Sequence, residues 1–212
     1  MKDRILSEIA EAIIKGQRET AVKGVIDALN QGISPQRILI EGIAKGMEIV
    51  GYKLKKQEYF LLELFVSEEA ARAAREKLEP YLEREGINLP VVVIGTAYHD
   101  LHNLGKDIVA MSLQGAGFRV IDLGVDVPPE RFVEKVKEAN ADILAISCLM
   151  VTCRDYIKDV IKALKEHGIR GKVKVLIGGL AISQRFADTI GADAYAEDAV
   201  IAVETAKKLI RP

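Results

Sequence analysis

Tryptophan is absent, cysteine occurs twice and histidine three times in 212 residues. Neither Cys148 nor Cys153 stands in Cys-x-x-Cys spacing, so the pair reads as free thiols of a reducing compartment. Charge of one sign is also missing: 30 basic against 31 acidic residues leave a net charge of −1. That balance gives no electrostatic footprint for nucleic acid or for an anionic membrane. No apolar run approaches the roughly 18–20 residues of a membrane span. The start, Met1-Lys2-Asp3-Arg4, alternates charge and lacks the apolar core of a signal peptide, so a cytoplasmic protein is expected. What is present is 49% hydrophobic and 29% charged residues, the composition of a globular chain with one large or two small domains.

Two halves differ in periodicity. Residues 1–87 read as helix: Ile5, Ile9 and Ile13 recur every four residues, and a second helix spans about 18–31. Ser34 followed by Pro35 starts a third, a cap residue ahead of proline at the first helical position. A fourth begins near Gln57, and Pro80 marks a kink or an end. Four such helices make a small antiparallel bundle, with 82–89 as linker. Over residues 88–212 five apolar runs alternate with helical stretches: Val91–Thr96, Arg119–Leu123, Ile143–Leu149, Val173–Ile177 and Ala192–Ala196. That alternation predicts an α/β domain with a parallel sheet covered on both faces. Five units favour the flavodoxin-like, Rossmann-like strand order 2-1-3-4-5, with a ligand crevice at the carboxyl ends of the strands.

Three signals fall at those ends. After the first strand comes Asp100-Leu101-His102-Asn103-Leu104-Gly105, which holds one of the three histidines beside a carboxylate; His99 stands just before it. A carboxylate that accepts a hydrogen bond from one imidazole nitrogen fixes the tautomer and leaves the other nitrogen free for a metal. After the third strand come Ser147-Cys148-Leu149 and Thr152, and after the fourth Gly178-Gly179. Histidine, hydroxyl and glycine pair converging on one slot suit a large metal cofactor with an extended tail.

Asp-x-His-x-x-Gly, Ser-x-Leu and Gly-Gly in this order, separated by 41 residues between Gly105 and Ser147 and 28 between Leu149 and Gly178, resemble the cobalamin-binding signature. Gly46-Met47-Glu48-Ile49-Val50-Gly51 and Glu58-Tyr59-Phe60-Leu61-Leu62-Glu63-Leu64 resemble the helical cap of corrinoid methyl carriers, and the stretch from Gly191 to Ala199 is similar as well. The resemblance is to the small corrinoid proteins of methyltransferase systems and to the cobalamin module of methionine synthase.

The resemblance implies a cobalamin or related corrinoid cofactor held base-off, with His102 as lower cobalt ligand and Asp100 hydrogen-bonded to it. It implies that Leu104, Gly105, Ser147, Leu149, Thr152, Gly178 and Gly179 line the cofactor site. Ser147 would contact the displaced base, Gly178 and Gly179 would let the nucleotide tail pass, and Tyr195 would line its end. Phe60 reads either as a core aromatic or as a cap on the corrin's upper face. The implied role is non-catalytic carriage of a methyl group, with a donor-specific methyltransferase, an acceptor methyltransferase and a reductive activation protein as partners. The alternatives are a cobalamin-binding sensor, which needs an output domain, and the small subunit of a cobalamin-dependent mutase, which needs an open corrin face.

Three positions depart from the family's pattern. His99 stands where glycine is frequent, Leu62 where proline is usual, and Val151 where a hydroxyl is often found. Lys106, at the start of the helix after the motif, reads as a solvated charge.

Overall fold

The computed structural model describes residues 2–210. It divides into two compact units: one runs to Leu89 and includes Gln114–Gly117, and the other comprises Pro90–Leu113 and the chain from Phe118 onward.

The first unit is helical. In α1 (Lys2–Ile14) the residues Leu6, Ile9, Ala10 and Ile13 are buried, the stripe that four-residue spacing predicts. Helix α2 (Arg18–Asn30) buries Ala21, Val25 and Ala28. The third helix is continuous but not uniform. The Ser34 hydroxyl accepts from the Arg37 N–H and starts α3 (Pro35–Arg37); a π-helical stretch, Ile38–Ala44, follows and runs into α4 (Lys45–Lys55). Glycine at 46 brings α4 close to α1, since a Cβ there would lie 3.0 Å from the Ala10 carbonyl oxygen.

Helix α5 spans Leu61–Arg84 and so starts four residues later than the sequence pattern suggests. Gln57 adopts a left-handed φ of 60° and Phe60 is extended, which ends one helix and begins the next. The Glu63 carboxylate accepts the Phe60 N–H at 2.8 Å, half of a capping box. Pro80 neither ends nor splits α5. Its missing N–H falls near the carboxyl end, and Leu78 and Leu82, both buried, hold the last turns on the core. Leu82 is therefore helix rather than linker.

The second unit is the expected α/β layer. Strands β1 (Val91–Thr96), β2 (Arg119–Asp122), β3 (Ile143–Ser147), β4 (Lys174–Gly178) and β5 (Ala194–Ala196) form one parallel sheet in the order 2-1-3-4-5. The intervening helices are α6 (Leu104–Gly115), α7 (Pro129–Ala139), α8 (Arg154–Glu166) and α9 (Gln184–Ile190), with α10 (Ala199–Leu209) last. Alternate strand residues Val93, Leu144, Ile146, Val175 and Ile177 pack with Phe132, Val133 and Val136 of α7 and Ile157, Val160, Ile161 and Leu164 of α8. Val92, Ile94, Ile143, Ala145 and Leu176 are buried on the opposite face, where α10 packs against β4 and β5. Burial on both faces explains why the strands read as unbroken apolar runs.

Candidate functional site at the carboxyl ends of the strands

Parallel register aligns the last residues of four strands. Thr96 pairs with Ser147, Ser147 with Gly178, and Gly178 with Ala196. A row of small residues thus crosses the sheet where β1, β3 and β4 end, the side at which open α/β sheets bind ligands. Asp100, His102, Leu104 and Gly105 follow β1; Leu149 and Thr152 follow β3; Gly179 follows β4. The fold therefore brings these expected residues to one edge. Tyr195 lies within β5, half-buried against the core.

The centre is a carboxylate–imidazole pair. Asp100 Oδ1 lies 2.6 Å from His102 Nδ1, and the Asp100 side chain is 0% exposed whereas that of His102 is 54% exposed. Oδ1 also accepts the His102 N–H at 3.1 Å, and Oδ2 accepts the Leu149 N–H at 2.6 Å. Burial alone pushes the Asp100 carboxyl up, but the Leu149 N–H, the His102 ring and the His102 N–H together hold it below the usual carboxylate range. The ionised carboxylate keeps the ring proton on Nδ1 and leaves the Nε2 lone pair free. Among the described residues no hydrogen bond engages Nε2. The Thr96 hydroxyl, fully buried, donates to the His102 carbonyl at 3.0 Å and fixes the same residue from below.

The connections that leave this edge of the sheet also carry exposed aliphatic side chains. Leu101 (72% exposed), Leu104 (53%), Val151 (70%) and Leu180 (88%) come from the connections after β1, β3 and β4. Large aliphatic side chains rarely stand so exposed together without something to cover them. Among the described residues no group of three or more His, Cys, Asp or Glu could hold a metal ion. The protein thus offers a metal a single imidazole ligand, and its remaining ligands must come with it. An apolar-faced macrocycle carrying its own metal fits this surround, whereas a free ion does not.

The glycines divide into two kinds. A Cβ at Gly178 would sit 2.8 Å from the Ala196 carbonyl oxygen, and one at Gly179 (φ 112°) 2.2 Å from the Cys148 carbonyl oxygen. The chain's own packing therefore requires both. A Cβ at Gly105 would meet nothing within 4 Å, so no contact within the chain asks for glycine there.

The Ser147 carbonyl accepts the Ala97 N–H at 2.9 Å. Thr152 is exposed, its hydroxyl 3.9 Å from Cys153 Sγ. Both cysteines are free and buried; burial first, then the neighbouring Cys153 and Asp100, push the Cys148 thiol up to about 12. Phe60 belongs to the first unit and is 67% exposed, which removes the core-packing reading.

Lys106 corrects the sequence reading. It is 2% exposed, with its ammonium 2.5 Å from the Asp107 carboxylate and paired with Asp122 at the end of β2. Asp122 in turn accepts the Gly124 N–H at 2.8 Å, and the Gly124 carbonyl accepts the Thr96 N–H at 3.0 Å. The start of α6 is thereby tied to the end of β1. Thr96 and Lys106 both hold the histidine loop: the sequence reading passed over the first and left the second as a solvated charge.

Residues 90–204 match a family model described as a B12 binding domain, and residues 5–79 match a second model of the same description. The chain is 42% identical to the dimethylamine corrinoid protein of Methanosarcina barkeri, over 99% of both chains. It is 40% identical to trimethylamine corrinoid protein 2 of Methanosarcina acetivorans, over 99% of this chain and 98% of that protein. Among solved structures it is similar to a chain of the methanol:cobalamin methyltransferase complex of Methanosarcina barkeri. The TM-score there is 0.82 at 30% identity, with 99% of this chain and 81% of that chain covered.

Proposed function

The chain belongs to the B12-binding-domain family, among the methyl-carrying corrinoid proteins, and from that premise we propose that His102 is the lower cobalt ligand of a base-off corrinoid and that the methyl donor is a methylated amine. The observation that carries the ligand assignment is the Asp100–His102 pair, a fully buried carboxylate 2.6 Å from a half-exposed ring, set among uncovered aliphatic side chains. A bound corrinoid supplies a cobalt centre able to accept a methyl group and release it.

The protein's part is to bind, orient and exclude water. Asp100 holds the proton on His102 Nδ1 and aims Nε2 outward; the Leu149 N–H and the Thr96 hydroxyl hold Asp100 and His102 in turn. Leu101, Leu104, Val151 and Leu180 would supply apolar contact to a bound corrinoid and exclude water there. Ser147 and Thr152 offer hydroxyls to the displaced base, while Gly105, Leu149, Gly178, Gly179 and Tyr195 leave or line the path of the tail. Phe60 presents a free aromatic face from the helical unit.

The names of the dimethylamine and trimethylamine relatives support an amine donor. The complex with a methanol methyltransferase, seen for a structural relative, supports docking on a donor-specific methyltransferase. An acceptor methyltransferase and a reductive activation protein complete the partners in this reading. The test loads the protein with hydroxocobalamin, reduces it, and mixes it with purified methyltransferases for mono-, di- and trimethylamine and for methanol, each with substrate. Methyl uptake, followed by the visible spectrum, is expected with an amine enzyme. Uptake with the methanol enzyme alone overturns the donor assignment.

A further inference from the structure

The turn in front of His102 is an unusual one. The Asp100 N–H donates to the Ala97 carbonyl at 3.1 Å and closes the turn 97–100. Its third residue, His99, has φ of 63°, the left-handed conformation that this turn position ordinarily reserves for glycine. Here a histidine carries the strain of that conformation. The His99 ring lies against Tyr98 and Tyr156, with centroids 4.0 and 5.2 Å away, while the His99 backbone N–H points to the connection after β2. There Asp126 Oδ1 accepts it at 2.7 Å. The N–H of Asp126 itself donates to the Asp100 carbonyl at 3.0 Å. Asp126 is also left-handed, with φ of 55°, a conformation that Asp, Asn and Gly tolerate. Two adjacent strained residues thus bind each other, and both are joined to the residue that orients His102.

We propose that Asp126 is a positioning residue for the cobalt ligand: it clamps the His99 and Asp100 peptides and so holds the left-handed turn on which Asp100 and His102 stand. The proposal rests on the reading of His102 as ligand. Its side chain acts through the acceptor oxygen, so two substitutions separate backbone from side chain. Asp126→Gly keeps the conformation and the N–H to Asp100 but removes the acceptor; Asp126→Asn keeps both.

The proteins are loaded with hydroxocobalamin and reduced to cobalt(II). Nitrogen splitting in the electron paramagnetic resonance spectrum then reads the share of molecules with an axial nitrogen. Asp126→Gly is expected to lower the ratio of ligated to unligated cobalt about ten-fold, the effect of one charge-assisted hydrogen bond, and to speed exchange of the His99 amide by a similar factor. Asp126→Asn, which keeps the acceptor oxygen but not its charge, is expected to lose only about two- to four-fold. Wild-type splitting and wild-type His99 exchange in Asp126→Gly overturn the proposal, as does an Asp126→Asn defect as large as that of Asp126→Gly. An unprotected His99 amide in the loaded wild-type protein overturns it without any variant. Labelling the histidines with nitrogen-15 separates the two ideas: a triplet that persists in the labelled wild-type protein sinks the ligand reading itself, whereas a doublet there that is unmoved in Asp126→Gly sinks the Asp126 role alone.

Discussion

Replacing Gly179 by alanine should destabilise the α/β unit by about 3 kcal/mol, and the same change at Gly105 should not. At Gly179 the backbone φ of 112° lies where a side chain is strained, and the new Cβ would stand 2.2 Å from the Cys148 carbonyl oxygen. That oxygen belongs to the backbone and cannot rotate aside. The conformation costs about 1–2 kcal/mol and the forced displacement about 1–3 kcal/mol more. The displaced peptide is the one whose other end is the Leu149 N–H, which donates to Asp100 at 2.6 Å; a planar peptide moves as a unit. Gly179→Ala should therefore also loosen the Asp100 carboxylate behind His102. Thermal unfolding of the cofactor-free protein, followed by circular dichroism, should show the α/β transition lowered by about 10 °C. Gly105→Ala introduces a Cβ into open space near the start of α6. Unfolding should then be unchanged or up to about 1 kcal/mol more favourable to the fold, while affinity for added corrinoid falls about ten-fold or more because the space is needed by the cofactor. A Gly179→Ala protein within about 0.5 kcal/mol of wild type would refute the packing argument. Undiminished corrinoid affinity in Gly105→Ala would refute the claim that the open space serves the ligand.

Two further outcomes follow from the charged groups. Asp122→Ala leaves the buried Lys106 ammonium with Asp107 alone and should cost about 1–3 kcal/mol in urea titration; an unchanged urea midpoint contradicts the structural role given to that pair. Asp100 has its folded-state titration lowered, so its contribution is complete above the ordinary carboxylate range near about 4 and is lost as pH falls through the lower folded value. Asp100→Asn should therefore be less stable than wild type at neutral pH, with the difference shrinking as pH drops below about 4. A stability gap between the two proteins that is constant from neutral to acid pH contradicts that assignment.

Much of the fold was legible because burial on both faces writes itself into sequence as apolar runs, and five such runs spaced by helical stretches leave few topologies. The Asp100–His102 pair was legible because its members are two residues apart and their chemistry is local. What escaped depends on distance along the chain. Asp126 meets His99 and Asp100 from the neighbouring strand's connection, and no local pattern marks it. Lys106 looks like any helix-start lysine, and only the end of β2 shows why it is buried. The start of α5 was misplaced because Tyr59 and Phe60 continue the apolar spacing, while a left-handed Gln57 breaks the helix. Pro80 sits within α5 because Leu78 and Leu82 hold the turns on either side of it.

The ligation of cobalt by His102 is tested most directly by isotope. The protein is produced with its histidines labelled with nitrogen-15, loaded with hydroxocobalamin and reduced to cobalt(II). The account expects the axial nitrogen splitting to change from a triplet to a doublet on labelling, and to vanish in His102→Ala. A triplet that persists in the labelled protein would place the cofactor's own base on the cobalt and contradict the account.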